Sequence, residues 1–298
     1  MTEDNQITFV TALYSDLRGT EFGGREGSIF FRYFYGIESI LKMGFPVVVY
    51  CWEKRAESLK EEYKNFLNEE NFSRLKIVGH NLQDNYFYEG IKGVKRKNPG
   101  KFEDENRSID LMASKFIFLK RSMLEDELNS KKFFWIDAGL SCSALFPNKY
   151  LIPDEKDYLK QYFDCSLFTK RCAEFFGDKS EDKVFMIKLD GQIGHNPRGE
   201  IKWPGGLYYI IGGLFGGDKR VIEDYSKNIL DRFIYYMEEK EILFLDESVM
   251  TIEHISNPNK YNLLSFSTWH HANSGGCFEE SRKGKKAFYK IFEESNGI

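Results

Sequence analysis

The sequence predicts an α/β protein built on a mostly parallel central sheet flanked by helices, and three observations carry that expectation. Short apolar runs, "QITFVTALY" (6–14), "PVVVYCW" (46–52) and "LKIVGH" (75–80), alternate with helical patterns. The run 46–52 is apolar almost throughout, which suits a strand covered on both faces. A long helical pattern, 108–128, leads directly into a further run, "KKFFWI" (131–136). In such sheets ligands bind outside the carboxyl ends of the strands.

The elements follow in order. Residues 6–14 open the sheet and pass into a loop containing Gly and Arg. The helical pattern of 28–44 has Ser28 as its N-cap and Gly44 as its stop. Residues 53–70 read as an exposed amphipathic helix, and 84–107, polar, charged and glycine-containing, as a mobile surface insert. The strand "KVFMIKLDG" (183–191) precedes a Gly- and Pro-rich stretch. "LYYIIGGLFGG" (207–217) precedes a helix from Asp218 to about Lys240, and the tail after "YNLLSFSTWHHANSGG" (261–276) ends in a basic helix. No repeat, low-complexity tract or linker divides the chain. A single domain over 1–298 is expected, with halves of about 1–145 and 146–298.

Composition narrows the function. Over 298 residues, 42% hydrophobic and 30% charged content is that of a soluble globular protein. A net charge of −4 argues against nucleic acid as a partner, because backbone binding needs a basic face. The acidic start runs straight into the first strand, so no signal peptide is expected. No apolar run approaches the roughly 18 residues of a membrane span. Cysteines at 51, 142, 165, 172 and 277 form no CxxC pair, which suggests reduced thiols in the cytoplasm.

Several segments could carry chemistry. Asp137 ends the apolar run in "FFWIDAGLS", and its small neighbours Ala138 and Gly139 leave room for a metal ion or a diphosphate. The bland alternative is a carboxylate capping the next turn. "GGLFGG" (212–217) is no dinucleotide fingerprint. It reads as a backbone pressed against something bulky and flat, as a sharp strand-to-helix turn, or as a helix start that favours an anion. "FLDESVM" (244–250) reads as a helix start with Asp246 as N-cap, or as a site in which Glu247 is a base or nucleophile. His270 and His271 in "STWHHANSGG" could ligate a metal, and Lys285 and Lys286 could neutralise a diphosphate. The alternative there is an aromatic-histidine patch beside a solvated helix. After the first strand, Tyr14 could stack on a base, and Arg18 or Arg25 could pair with phosphate.

Taken together, "ITFVTALYSDLR", "PVVVYCWE", "FFWIDAGLS", "IIGGLFGG", "LDES" and "TWHH" resemble the HtrL/YibB-like proteins, which include WlaTC-type proteins of bacterial surface-polysaccharide loci. The resemblance runs from about residue 6 to 272. It implies a GT-A-like (Rossmann-like) glycosyltransferase in which residues 1–145 bind the nucleotide and 146–298 the acceptor. It further implies transfer of a hexosyl group from a nucleoside diphosphate sugar to a glycan hydroxyl, with Mn²⁺ or Mg²⁺ as cofactor. The implied nucleotide-sugar contacts are Ala12, Tyr14, Arg18, Arg25, Lys115, Asp137, Ala138, Gly139, Gly212, Gly213, Lys285 and Lys286. Glu247 and Asp246 are the implied catalytic pair, and Asp137 with His271 or His270 the implied metal ligands. Asp137 falls where GT-A enzymes carry an Asp-x-Asp motif, and Gly139 is a departure from it. "LDES" resembles the His-Asp-Glu-Ser segment of retaining galactosyltransferases, with Leu245 in place of the His. Peripheral association with the inner face of a membrane is compatible with this role. Two other readings stand beside it: a non-catalytic sugar-binding protein, and a metal-dependent phosphoesterase using Asp137, Asp190 and Asp246 or Glu247.

Overall fold

The computed structural model describes residues 7–14, 34, 36–38, 40–42, 44–97, 109–127, 129–138, 182–189 and 210–266. The apolar runs become strands β1 (Ile7–Ala12), β2 (Val47–Cys51), β3 (Leu75–Gly79), β4 (Lys132–Ile136), β5 (Val184–Leu189), β6 (Ile210–Asp218) and β7 (Tyr261–Phe266). They form one sheet in the order β3-β2-β1-β4-β6-β5-β7. β3, β2, β1 and β4 run parallel, β5 and β7 pair in parallel, and β6 is antiparallel to both of its neighbours. The expected α/β class with a mostly parallel sheet is therefore the observed one. β7 lies in a segment that the pattern left without an element.

The helices are α1 (Ala56–Phe66), α2 (Glu69–Phe72), α3 (Tyr88–Lys97), α4 (Ile109–Leu124), α5 (Lys219–Glu239) and α6 (Asp246–Ser256). Side chains alternate along each strand, so one sheet splits the core in two. Val48, Tyr50, Phe133 and Trp135 face α3, α4, α5 and α6. Val47, Val49, Phe134 and Ile136 face α1 and the helical residues around Ile37 and Ile40. This double cover explains why β2 and β4 are buried along their whole length.

Local chemistry sets two of the boundaries. Gly44 has φ 90°, which favours glycine. Its N–H donates to the Leu41 carbonyl and that of Phe45 to the Ile40 carbonyl, closing the preceding helix in a Schellman motif. α2 is capped by Asn68, whose side chain accepts from the Asn71 N–H at 2.8 Å.

Three expectations need correction. Residues 88–97 of the supposed surface insert form helix α3, because Ile91 and Val94 share a helical face and bury it. "GGLFGG" is no turn but the interior of β6, where Gly216 leaves room for the Phe134 ring; a Cβ there would come within 2.2 Å of it. Finally, β6 is antiparallel, so the start of α5 lies beside Lys132 at the amino end of β4. At about 3.3 Å per residue that is roughly 16 Å from Asp137, so this helix start is not part of the strand-end cluster.

Candidate active site

Asp137 leaves the carboxyl end of β4, and its N–H donates to the Gly213 carbonyl at 2.8 Å. Trp135 lies two residues earlier and so on the same face. Its indole Nε1–H donates to Asp137 Oδ1 at 2.8 Å. Helix α4 crosses this face and brings in Lys115, which is buried among apolar neighbours. Its Nζ lies 2.7 Å from Asp246 Oδ2, 3.1 Å from the Gly212 carbonyl and 3.3 Å from Asp137 Oδ1. The ammonium also lies 5.5 Å from the centre of the Trp135 ring. Burial alone would lower the Lys115 pKa, but Asp137 and Asp246 outweigh it and hold the amine above its ordinary value.

Asp246 and Glu247 occupy the first turn of α6, where the helix dipole favours carboxylates. Asp246 is not the N-cap expected of it. Leu245 holds that place, with extended backbone and no side-chain cap, and the Asp246 carboxylate turns inward to Lys115 instead. It is enclosed there at 4% exposure. Glu247 Oε1 accepts from the Gly212 N–H at 3.2 Å. Its carboxyl is pushed up to about 7, by burial first and by Asp246 next, against the pull of Lys115 and the Gly212 N–H.

The glycines of β6 make this possible. Between Met186 and Ile187 the register with β5 jumps from Phe215 to Ile211, so residues 212–214 are passed over on that side. The N–H and C=O of Gly212 turn instead to Glu247 and Lys115. A Cβ on Gly212 would lie 2.4 Å from Asp246 Oδ2, so only glycine admits the pair.

Lys115, Asp137, Gly212, Gly213, Asp246 and Glu247 are thus brought together, with Ala138 buried behind them. Ala12 closes β1 opposite Tyr50 and makes no part of this cluster. Tyr14 belongs to a second cluster beyond β1, β2 and β3. Its hydroxyl donates to the His80 carbonyl at 3.0 Å, and its ring meets Trp52 edge-on and Phe118 in parallel. Burial raises the Tyr14 hydroxyl well above its ordinary pKa. Trp52 and His80, each one residue past a strand, escaped the sequence reading, as did Trp135. The signal for Trp135 was its i, i+2 relation to Asp137. Arg18, Arg25, Gly139, Asp190, His270, His271, Lys285 and Lys286 lie outside the described residues.

Among the described residues no group of three His, Cys, Asp or Glu gathers as a metal site. Asp137 is the member that could ligate one: its side chain is 35% exposed, and Lys115 and Trp135 both approach Oδ1. A cavity of about 250 Å³ near Thr8, Lys76, Ser122 and Phe133 lies toward the amino ends of the strands, away from these acids.

A family model for bacterial proteins of unknown function (HtrL_YibB) matches residues 58–279, well over half of the chain. The chain belongs to the HtrL_YibB family. The motif resemblance therefore holds at the level of the family. No curated protein matches this HtrL_YibB chain by sequence. Among solved structures it is similar to 4-diphosphocytidyl-2C-methyl-D-erythritol synthase from Anaerococcus prevotii, at 10% identity and TM-score 0.40, covering 96% of this chain and all of that one. It is similar to mouse xyloside xylosyltransferase 1 in its apo form, at 12% identity and TM-score 0.39, covering 97% and 92%. A third likeness is to the galactosyltransferase LgtC with donor and acceptor sugar analogues, at 10% identity and TM-score 0.42, covering 86% and 72%. Likenesses this distant carry no weight for the activity of the HtrL_YibB chain.

Proposed function

We propose that this HtrL_YibB chain is a glycosyltransferase that moves a hexosyl group from a nucleoside diphosphate sugar to a glycan hydroxyl in bacterial surface-polysaccharide synthesis. The observation that supports the reading is the gathering of Asp137, Asp246 and Glu247 around Lys115 beyond β4. Parallel sheets present their ligands at such strand ends. Glu247 is the catalytic carboxylate of this reading. Raised to about 7, it exists in both forms near neutral pH and can accept or return a proton. Its anion could equally serve as nucleophile or stabilise an oxocarbenium ion. Asp137 would hold Mn²⁺ or Mg²⁺ through its outer oxygen, and such an ion supplies counter-charge to the leaving diphosphate. His270 or His271 would complete the ligands, with Lys285 or Lys286 beside the diphosphate. The place of action is the cytoplasm, at the inner face of the membrane.

A non-catalytic sugar-binding protein is the second reading, favoured by one observation: both Asp137 and Asp246 are engaged by the protein's own ammonium. Thermal shifts with UDP, GDP and CDP, with and without Mn²⁺, test the proposal. At least one nucleotide should stabilise the protein, and metal-dependent stabilisation should vanish in Asp137→Asn. Shifts from none of them would sink the transferase reading. Glu247→Gln should keep nucleotide binding and lose sugar transfer; binding in the wild type without any transfer or donor hydrolysis would favour the second reading.

A further inference from the structure

Lys115 is set among its acceptors in a way that bears on its role. An ammonium has three N–H donors, and three protein acceptors lie within reach at 2.7, 3.1 and 3.3 Å. Each comes from a different element: the end of β4 gives Asp137, the irregular stretch of β6 gives the Gly212 carbonyl, and the first turn of α6 gives Asp246. The side chain is 7% exposed, with the Trp135 ring beside its charge. The ammonium hydrogen-bonds Asp246 and the Gly212 carbonyl and pairs electrostatically with Asp137, so its charge is met from three sides by the protein itself.

We infer that Lys115 is a positioning residue rather than a ligand contact: its ammonium ties the end of β4, the β6 irregularity and the start of α6 into one frame. That frame sets where Asp137 and Glu247 stand. Glu247 follows Asp246 directly and takes the N–H of the same Gly212 whose carbonyl Lys115 holds. Moving the ammonium therefore shifts both attachments of Glu247 together. Asp246 is the internal partner of Lys115, and α6 starts without a side-chain cap.

The frame itself stands independently of any reaction; its kinetic consequence rests on the transferase reading. Two measurements separate them. In thermal unfolding, Lys115→Met and Asp246→Leu should each lower Tm, since each strands a buried partner, while the double variant should lose less than the sum of the two. Additive losses would overturn the frame. In kinetics, Lys115→Arg keeps the charge with a wider fork that cannot reproduce the three short contacts. It should lower kcat at least tenfold while KM for the donor stays within twofold. A parallel rise in KM would make Lys115 a donor contact and overturn the inference. If the wild type turns over no nucleotide sugar, the transferase reading fails separately. The affinity of Lys115→Arg for UDP, GDP and CDP then decides: values within threefold of wild type are expected where a nucleotide binds, and a tenfold loss would overturn the inference. If no nucleotide binds either, the unfolding cycle alone decides it.

Discussion

Gly212 is the position at which the candidate site tolerates least. Its N–H and C=O serve Glu247 and Lys115, and an added Cβ would meet Asp246 Oδ2 at 2.4 Å and Glu247 Cγ at 3.1 Å. Neither acid can retreat without leaving its partner. Gly212→Ala should therefore cost about 1–3 kcal/mol, as overpacking of an interior does, measured by urea unfolding. A second residue-scale prediction concerns pH. The Glu247 carboxyl rises from its ordinary 4.5 to about 7 on folding. Between those values the folded protein holds a proton that the unfolded chain has released, so stability falls as pH rises through that window. Because Glu247 is half-buried and screened, the loss should be about 1–2 kcal/mol rather than the full linkage value. Glu247→Gln should remove that slope from a plot of Tm against pH. Identical slopes in variant and wild type would refute the raised pKa.

At the scale of elements, α3 shows how glycine hides a helix. Gly90 and Gly93 lower its propensity, yet Phe87, Ile91 and Val94 are buried against the core that α4 and α5 share. The two glycines differ in what surrounds them. Gly93 faces open space, whereas a Cβ on Gly90 would meet the end of Met237 at 2.6 Å. Gly93→Ala should raise stability by about 0.5–1 kcal/mol, as expected for a helix interior. Gly90→Ala should gain less, because Met237 must move, and calorimetry of the two variants would show the order. α6 gives the complementary case. An Asp-Glu pair ahead of an apolar segment correctly signals a helix start, but the side chain that would have capped it is drawn away by Lys115. A local cap is worth about 1 kcal/mol, and a buried ion pair broken on one side costs about 3–5 kcal/mol, so the tertiary partner wins.

At the scale of the whole molecule, the sheet couples distant parts of the chain. β4, from the first half, pairs with β6, from the second, and Lys115 bridges acids from both. A nucleotide bound at these acids would therefore stabilise both halves together. At 100 times its Kd it should add about 2.7 kcal/mol to unfolding. Trp fluorescence and far-UV circular dichroism should shift to the same new midpoint. Midpoints that differ between the two probes would show that the halves unfold separately and overturn this coupling. No described helix is long and apolar enough to cross a membrane. Cys51 is a buried thiol, and burial pushes its pKa up to about 11.

Much of this fold was legible before any coordinates, because strand and helix periods are local properties of the chain. The runs at 46–52 and 131–136 announced buried parallel strands, Gly44 announced a helix stop, and Asp137 announced a strand-end carboxylate. Pairing is not local. That β6 runs antiparallel, skips three residues against β5 and thereby presents Gly212 to Lys115 depends on contacts between residues up to 97 positions apart. Residue types and their local spacing were enough for the α/β class, the family and the acids at hand. That a buried lysine stands between two of those acids followed from packing alone, since a charge is taken out of water only where the fold assembles its partners.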